Sequence, residues 1–357
     1  MLAGCGNQTP QGPPSIAVAG AGASPGGSSS LGGGGAVGAG GSAESGGTAG
    51  ASGLGGASAS GSGGVAEVAG GADAGSGGSG GSGAAGVAGA SSGGATEMPS
   101  TGCGTAAADP PGQFVFNKTV MVAGTARQYS LRLPAGYSSS KPYPTIFSLH
   151  GCNSHNDQLI DIQNAVGFDA IIIAPEQVSG GCFDDQSSMS KDLPVFDALV
   201  QWSESNLCVD KARIFAIGFS SGSWMANILG CERANVIRGK GNVSGGITGA
   251  LDPTRDCKGN VAGIFLHDKD DTQNSIAGGM HARDVLLQEN GCAMTSTAYS
   301  DVPANTVGLC VQYDDCKPGY PVVWCQTSGI NHDPQQTRSP ELFWRFLSKL
   351  GAVSASP

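Results

Sequence analysis

A serine in a turn of small residues is the side chain best suited to covalent chemistry in this sequence. Ser220 lies in Gly218-Phe219-Ser220-Ser221-Gly222, after the β-type run 213–217 and before a helical run over 223–229. Small residues in a strand-to-helix turn allow close backbone packing and expose the hydroxyl as a nucleophile. Three further Gly-x-Ser-x-Gly copies have no strand before them and no helix after them; they are centred on Ser24, Ser79 and Ser91. Context therefore selects Ser220.

A serine nucleophile needs a neighbouring base, and His332 is the histidine whose position fits that role. In hydrolases with this turn, the chain order is serine, then an acid, then histidine. His332 follows Ser220 and lies in a loop directly before the last predicted helix. The other histidines precede Ser220 or fall in a predicted strand end or helix; they are His150, His155, His267 and His281. We therefore predict His332 as the base.

The acid has several candidates, because Asp268, Asp270 and Asp271 all follow the predicted strand 263–267. The acid of such a triad accepts a hydrogen bond from the imidazole Nδ1–H and stabilises the imidazolium that forms. Only one carboxylate can do this, so the others are expected to belong to a solvated acidic loop. Spacing alone leaves the choice open.

A second turn, His150-Gly151-Cys152, follows the predicted strand 145–149. Upstream His-Gly turns of this kind direct a backbone N–H at the reacting carbonyl, and the residue after the nucleophile supplies another N–H. The expected oxyanion donors are therefore the N–H groups of Cys152 and Ser221. Loss of one such donor typically costs about 3 kcal/mol of transition-state stabilisation. This chemistry requires no metal and no organic cofactor.

Alternating strands and helices, from about residue 103 onward, would position these groups. Short apolar runs bounded by proline or loops predict strands, and apolar residues at helical spacing predict helices. The predicted strands cover 127–133, 145–149, 170–174, 213–217, 263–267, 307–311 and 322–324, and the predicted helices cover 193–207, 223–229 and 340–347. This alternation is typical of an α/β fold with a mostly parallel central sheet flanked by helices.

The first hundred residues differ in composition from the rest. They contain 35 of the 61 glycines and no Lys or Arg. Such a Gly/Ala/Ser tract buries too little apolar surface to offset the entropy of ordering it. We predict a disordered linker over 6–102 and one enzyme domain over 103–357. The net charge of −10 argues against a nucleic-acid partner, which would require a basic surface.

Cysteine usage indicates an oxidising compartment. Ten of the eleven cysteines lie between Cys103 and Cys325, without the spacing of a zinc site, and an even number in such a domain favours disulfides. The eleventh, Cys5, ends Leu2-Ala3-Gly4-Cys5, which resembles the lipobox of bacterial lipoproteins, although only Met1 precedes it. We interpret residues 1–5 as a signal-peptide remnant and Cys5 as a lipid attachment site. The protein is then extracellular or held at the outer cell surface.

Several motifs between about Cys103 and the C-terminus occur in a characteristic order. Besides the Ser220 turn, they are Tyr129-Ser130-Leu131-Arg132-Leu133-Pro134, Pro142-Tyr143-Pro144, Leu149-His150-Gly151-Cys152, Cys208-Val209-Asp210, His267-Asp268-Lys269-Asp270-Asp271-Thr272, Asn290-Gly291-Cys292, Tyr320-Pro321-Val322-Val323-Trp324-Cys325 and Asn331-His332. In this order they resemble the secreted feruloyl esterases and polyhydroxybutyrate-depolymerase-like esterases, which have the α/β-hydrolase fold. The resemblance implies that the acid stands four residues after His267, at Asp271. Since Asp268 occupies a position where many relatives have Gly, Asp270 remains an alternative.

The resemblance also implies three disulfides, Cys208–Cys231, Cys310–Cys316 and Cys292–Cys325. If these form, the remaining pairs are Cys103–Cys152 and Cys182–Cys257.

These observations predict a secreted or surface-tethered serine carboxylic ester hydrolase with Ser220, Asp271 and His332 as its triad. The resemblance favours feruloyl esters of plant cell-wall polysaccharide as substrates. A polyhydroxybutyrate depolymerase and an acetyl xylan esterase are alternatives within the same chemistry. A non-catalytic surface-binding protein that keeps the hydrolase fold is an alternative of another class, because fold does not guarantee chemistry.

Overall fold

Strands and helices alternate along a computed structural model that describes residues 96–352, apart from 157–168, 179, 184–189, 248–255 and 305–307. Cys5 and the predicted linker up to residue 95 lie outside the described residues. In chain order the elements are β1 Phe114–Val122, β2 Thr125–Arg132, β3 Tyr143–Leu149, β4 Ile171–Pro175, α1 Leu193–Asn206, β5 Val209–Phe219, α2 Ser221–Glu232, β6 Gly239–Val243, β7 Ala262–Asp268, α3 Ile276–Asn290, β8 Ser296–Ala298, β9 Leu309–Tyr313, β10 Val322–Thr327 and α4 Ser339–Leu347.

One sheet contains all the strands of the described residues, in the order β1-β2-β4-β3-β5-β6-β7-β10-β9-β8. Its central block, from β4 through β3, β5, β6 and β7 to β10, is parallel. Both edges are antiparallel, with β1 and β2 on one side and β9 and β8 on the other. The expected α/β architecture with a mostly parallel sheet is confirmed. The carboxyl ends of the parallel strands therefore meet at one edge of the sheet, where loops of α/β folds carry their functional groups.

Helices cover both faces of the sheet, and alternate strand residues serve the two resulting cores. On β3, Phe147 packs in the core on the side of α1, α2 and α3. Its neighbour Ile146 packs in the other core, with Phe343 and Leu347 of α4. Both faces of the central strands are thus apolar, which is why these strands read as nearly continuous hydrophobic runs.

Ordered contacts of the domain begin before Cys103. The N–H of Met98 donates to Asp210 Oδ1 at 2.9 Å, and Ser100 Oγ donates to the Leu207 carbonyl at 2.7 Å. Pro99 forms an isolated antiparallel bridge with Asp210. The segment therefore lies beside the amino end of β5.

The described residues contain five disulfides, and none of the five pairings expected from the sequence is among them. The observed pairs are Cys103–Cys208, Cys152–Cys182, Cys231–Cys257, Cys292–Cys316 and Cys310–Cys325. A disulfide needs two Cα atoms within about 7 Å, which only the folded topology decides. Cys310 and Cys325 are direct cross-strand partners on antiparallel β9 and β10. That pairing rules out the expected Cys310–Cys316 and Cys292–Cys325.

The other corrections follow equally from neighbouring elements. Cys103 meets Cys208 because residues 98–102 run along the start of β5. Cys152 and Cys182 follow the adjacent strands β3 and β4, so their loops meet at the same sheet edge. Cys231, in the last turn of α2, bonds to Cys257 instead of Cys208.

Two buried ionisable side chains, Lys240 and Glu289, lie on the side of the sheet that α2 and α3 cover. Lys240 of β6 is 3% exposed and donates from Nζ to Asn227 Oδ1 of α2 at 2.8 Å. Burial lowers the pKa of the Lys240 ammonium, which the nearby Glu289 carboxylate partly offsets. Burial also raises the pKa of the Glu289 carboxyl to about 7, against the attraction of Lys240 and Lys317. The folded protein therefore holds a carboxyl that resists ionisation.

We expect Glu289→Gln to remove a pH-dependent loss of stability. A carboxyl with a raised folded-state pKa binds more protons folded than unfolded, so its contribution to stability falls as pH rises from about 4.5 towards 7. Thermal unfolding at pH 5 and pH 8 measures this. The difference in melting temperature, variant minus wild type, should increase between the two pH values. An unchanged difference would contradict the assignment of a buried, proton-binding Glu289.

Candidate active site

The Ser220 turn has a strained backbone geometry. Ser220 lies between β5 and α2 with φ 54° and ψ −120°, a conformation that non-glycine residues rarely adopt. Its N–H donates to the Val243 carbonyl at 3.0 Å, which holds the turn to β6. A Cβ at Gly218 would overlap the carbonyl of Gly222, and one at Gly222 would overlap the carbonyl of Leu149. Both glycines are therefore required by backbone contact.

His332 contacts both Ser220 and an aspartate. Its Nε2 lies 3.0 Å from Ser220 Oγ, and its Nδ1 lies 2.9 Å from Asp271 Oδ2. The imidazole also packs against the Phe219 ring, with 4.8 Å between centroids. Asn331, at φ 66°, turns the loop, and its Oδ1 accepts from the His332 N–H at 2.9 Å. With Nδ1–H donating to the carboxylate, Nε2 is left as the acceptor for the serine hydroxyl.

Asp271 is the carboxylate that the fold brings to this imidazole. Its Oδ1 accepts from the N–H groups of Gln273 at 2.9 Å and Asn274 at 2.8 Å. Burial alone would raise the pKa of Asp271, but the hydrogen bonds from His332, Asn274 and Gln273 hold that pKa below its ordinary value. The carboxylate is therefore ionised and oriented before any substrate arrives.

The two neighbouring aspartates have other partners. Asp270 is half exposed, and its Oδ2 accepts from the Gly329 N–H at 2.8 Å. Asp268 is fully buried, and its Oδ2 accepts from Thr327 Oγ1 at 2.8 Å and from the Ile330 N–H at 3.1 Å. Asp268 and Asp270 thus hold the loop that carries His332, and neither hydrogen-bonds to the imidazole.

The His150-Gly151-Cys152 turn lies directly beside the serine. A Cβ at Gly151 would come within 3.4 Å of the Ser220 Cβ. His150 is buried, and its Nδ1 hydrogen-bonds the Gly151 carbonyl at 2.7 Å, so Nδ1 carries the proton. The C=O and N–H of a trans peptide point in opposite directions. This bond therefore directs the Cys152 N–H away from the His150 ring.

An open cleft of about 300 Å³ reaches the serine. The lining residues come from four loops and the start of α2; they are Cys152, Cys182, Phe183, Ser220, Ser221, Trp224 and Asn274. The two expected oxyanion residues, Cys152 and Ser221, thus lie on the same cleft as the serine. The Trp224 ring is supported by Gly246, where a Cβ would come within 2.9 Å of it.

Sequence reasoning missed Asn274, Trp224, Phe183 and Glu176. Asn274 follows Asp271 by three residues, and its Nδ2 lies 3.5 Å from Ser220 Oγ. Glu176 follows β4, and its Oε1 lies 3.8 Å from His150 Nε2. Trp224 follows the nucleophile by four residues, so helical spacing could have placed it near the serine. For the other three, only the fold indicates proximity.

The site is assembled from the carboxyl ends of parallel strands. The His150-Gly151-Cys152 turn follows β3, Ser220 follows β5, Asp271 follows β7 and His332 follows β10. These strands lie close together in the sheet order. In the described part of the chain, no helix is long and apolar enough to cross a membrane, and no cluster of three or more potential metal-binding side chains is present.

The chain is similar in sequence to known feruloyl esterases. No protein-family model matches the chain. Feruloyl esterase D of Neurospora crassa is 29% identical over 283 residues, covering 71% of this chain and 92% of the relative. Feruloyl esterase C of Emericella nidulans is 31% identical over 235 residues, covering 62% of this chain and 83% of the relative.

The solved structure of an acetyl xylan esterase from Aspergillus awamori has a similar fold. It superposes with a TM-score of 0.51 and 15% identity, covering 66% of this chain and 100% of that one. This similarity supports the α/β-hydrolase fold alone, whereas the curated relatives also share sequence along most of their length. The chain belongs to the feruloyl esterase family of carboxylic ester hydrolases.

Proposed function

We propose that this protein is a serine esterase that releases ferulic-acid-type acyl groups from plant cell-wall polysaccharide, with Ser220, His332 and Asp271 as its triad. The observation that carries the proposal is the unbroken hydrogen-bonded chain from Asp271 through His332 to Ser220, at 2.9 and 3.0 Å. A hydroxyl, an imidazole and a carboxylate in this relation activate a serine for acyl transfer.

The mechanism follows from which atoms hold protons. His332 Nε2 takes the proton of Ser220 Oγ as that oxygen attacks the ester carbonyl, and Asp271 stabilises the imidazolium. The N–H groups of Cys152 and Ser221 stabilise the oxyanion of the tetrahedral intermediate. His332 then returns the proton to the leaving sugar oxygen. Water, deprotonated by the same imidazole, hydrolyses the acyl-enzyme and regenerates the serine.

The walls of the cleft support an aromatic acyl group. Trp224 and Phe183 supply aromatic surface beside Ser220, and the Cys152–Cys182 disulfide completes the lining. Flat aromatic rings stack favourably against such side chains, each pair contributing about 0.5–1.5 kcal/mol beyond area burial. An acetyl group would gain little from these walls. The curated relatives are named feruloyl esterases, which points to the same class of acyl group.

We also propose an extracellular location. Five disulfides within one domain fit an oxidising compartment. The Gly-rich linker and the lipid attachment at Cys5 would tether the esterase to an outer membrane surface, where it could act on a polysaccharide. Mass spectrometry of the N-terminal peptide from membrane fractions tests this attachment.

Trp224→Ala tests the proposed acyl site. We expect it to raise KM for methyl ferulate about tenfold, because stacking area is lost, and to change hydrolysis of nitrophenyl acetate less than about twofold. Trp344 of α4, which packs with the core on the other sheet face, provides the matched variant Trp344→Ala. Equal loss on both esters would contradict an aromatic acyl site at Trp224.

A substrate panel tests the activity itself. Wild-type enzyme should release ferulate from feruloylated arabinoxylan faster than acetate from acetylated xylan or hydroxybutyrate from its oligomers. Faster release of acetate or hydroxybutyrate would favour the corresponding alternative and reject the feruloyl assignment.

A further inference from the structure

One side chain connects the acid loop directly to the nucleophile. We infer that Asn274 is a positioning residue for Ser220: its carboxamide N–H holds the serine oxygen in the rotamer that faces His332. The inference rests on the proposed function, because it assumes that Ser220 is the nucleophile.

The carboxamide of Asn274 has two acceptors that suit its two N–H groups. Nδ2 lies 2.7 Å from the Ser244 carbonyl oxygen and 3.5 Å from Ser220 Oγ. A carbonyl oxygen can only accept, so this contact identifies the amide atom facing it as the nitrogen. The first N–H anchors the amide, and the second is available to the serine oxygen.

The backbone at both ends of this contact is held in place. The N–H of Asn274 donates to Asp271 Oδ1 at 2.8 Å, and its carbonyl accepts from His267 Nε2 at 2.8 Å. Burial lowers the pKa of His267, which favours the neutral imidazole that donates from Nε2 to this carbonyl. Ser244, at φ 49°, sits just beyond β6. Asn274 thus joins the ends of β5, β6 and β7.

Two hydrogen bonds, one donated and one accepted, fix the orientation of the Ser220 hydroxyl. It donates to His332 Nε2 at 3.0 Å and accepts from Asn274. A free hydroxyl rotates among three staggered positions, of which only one faces the base. The 3.5 Å contact is at the long limit for a hydrogen bond, and such contacts in resting enzymes commonly shorten as charge develops. When the proton leaves Ser220, the amide N–H faces an oxygen of rising negative charge.

Asn274→Ala, examined with a small fluorophosphonate, tests this role without depending on acyl or sugar recognition. We expect the second-order labelling rate at Ser220 to fall about tenfold, the effect of losing one hydrogen bond to a developing charge. For nitrophenyl acetate, kcat should fall similarly, and KM should stay within about twofold. Asn235→Ala, an exposed asparagine before the amino end of β6, should label at the wild-type rate.

Asn274→Asp removes the donor while keeping nearly the same side-chain size. A carboxylate can only accept, so this variant cannot donate to Ser220 Oγ or to the Ser244 carbonyl. The labelling rate at Ser220 and kcat for nitrophenyl acetate should therefore fall at least as far as in Asn274→Ala, while KM stays within about twofold. Circular dichroism on the same samples shows whether each variant is folded.

The outcomes separate this inference from the proposed function. If wild-type protein is not labelled at Ser220, the proposed esterase mechanism is wrong. If the wild type is labelled and Asn274→Ala is labelled equally fast, the positioning role alone is overturned. Labelling of folded Asn274→Asp at the wild-type rate also overturns it.

Discussion

Ser220→Ala is expected to abolish ester hydrolysis, lowering kcat by about 10⁵- to 10⁶-fold, while the melting temperature changes by only a few degrees. The alanine removes the oxygen that attacks the ester and donates to His332 at 3.0 Å. Residual rate would come from the oxyanion donors and binding alone. Hydrolysis of nitrophenyl acetate, with circular dichroism on the same samples, measures both effects.

Ser205→Ala is a suitable control for this variant, because Ser205 is exposed in the last turn of α1, far from the cleft. It should keep wild-type turnover. Fluorophosphonate labelling provides an independent readout: the wild type should gain the adduct on the peptide containing residue 220, and Ser220→Ala should not. Retained turnover in Ser220→Ala, or an adduct on another serine, would reject this nucleophile. Failure of the wild type to react would favour the non-catalytic surface-binding alternative.

Asp271→Asn is expected to lower kcat by about 10⁴-fold without removing the fold. An amide nitrogen facing His332 Nδ1 cannot accept its proton, so the imidazole adopts the other tautomer and Nε2 loses the lone pair that accepts from Ser220. Asp270→Asn is the matched control, because the Asp270 carboxylate accepts the Gly329 N–H and lies 3.8 Å from Lys269 Nζ, and it does not hydrogen-bond to His332. Asp270→Asn should lower kcat by less than about threefold. The reverse result would assign the acid to Asp270.

The ionisation of Asp271 sets the expected pH behaviour. Its pKa is held below the ordinary value chiefly by hydrogen bonds that outweigh burial. A carboxyl with a lowered folded-state pKa stabilises the fold above its unfolded pKa, and this contribution is lost as pH falls through the folded value. Asp271 should therefore remain charged throughout the range in which an imidazole ordinarily protonates. Loss of activity within that range would therefore not arise from protonation of Asp271.

The proposed nucleophile and base could be selected from the sequence because chain order and element boundaries restrict them. Ser220 alone among the Gly-x-Ser-x-Gly serines joins a strand to a helix, and His332 alone among the histidines lies in a loop after it. The choice among Asp268, Asp270 and Asp271 was not predictable from spacing. It depends on how the loop turns, since Asp271 Oδ1 must bind two N–H groups before Oδ2 faces His332.

The sequence analysis did not predict strand β6, because the hydrophobic pattern of this strand is weak. Its sequence, Gly239 to Val243, has no apolar alternation, although all five residues are buried. A Cβ at Gly241 would come within 2.8 Å of the Phe343 ring, so α4 supplies the apolar surface that the strand lacks. On the opposite face, Lys240 and Asn242 find partners on α2. The sequence pattern of one strand cannot show that a distant helix supplies the apolar contacts that the strand lacks.

The predicted disulfide pairings were wrong for a related reason. Ten cysteines in one domain allow many pairings, and the folded structure decides which segments meet. Cys310 and Cys325 illustrate this, because antiparallel register alone puts them opposite each other.

The bridge between Pro99 and Asp210 has a practical consequence for using this esterase on a solid support. Asp210 lies at the amino end of β5, and Ser220 directly follows its carboxyl end at Phe219. An eleven-residue strand spans roughly 35 Å at 3.3 Å per residue. A support or fusion partner attached before residue 96 therefore joins the domain at the amino end of β5, which is the end away from the cleft. Beads coupled through the N-terminal region should leave bulky polymers free to reach the serine, whereas coupling through the loop after β10 should block them.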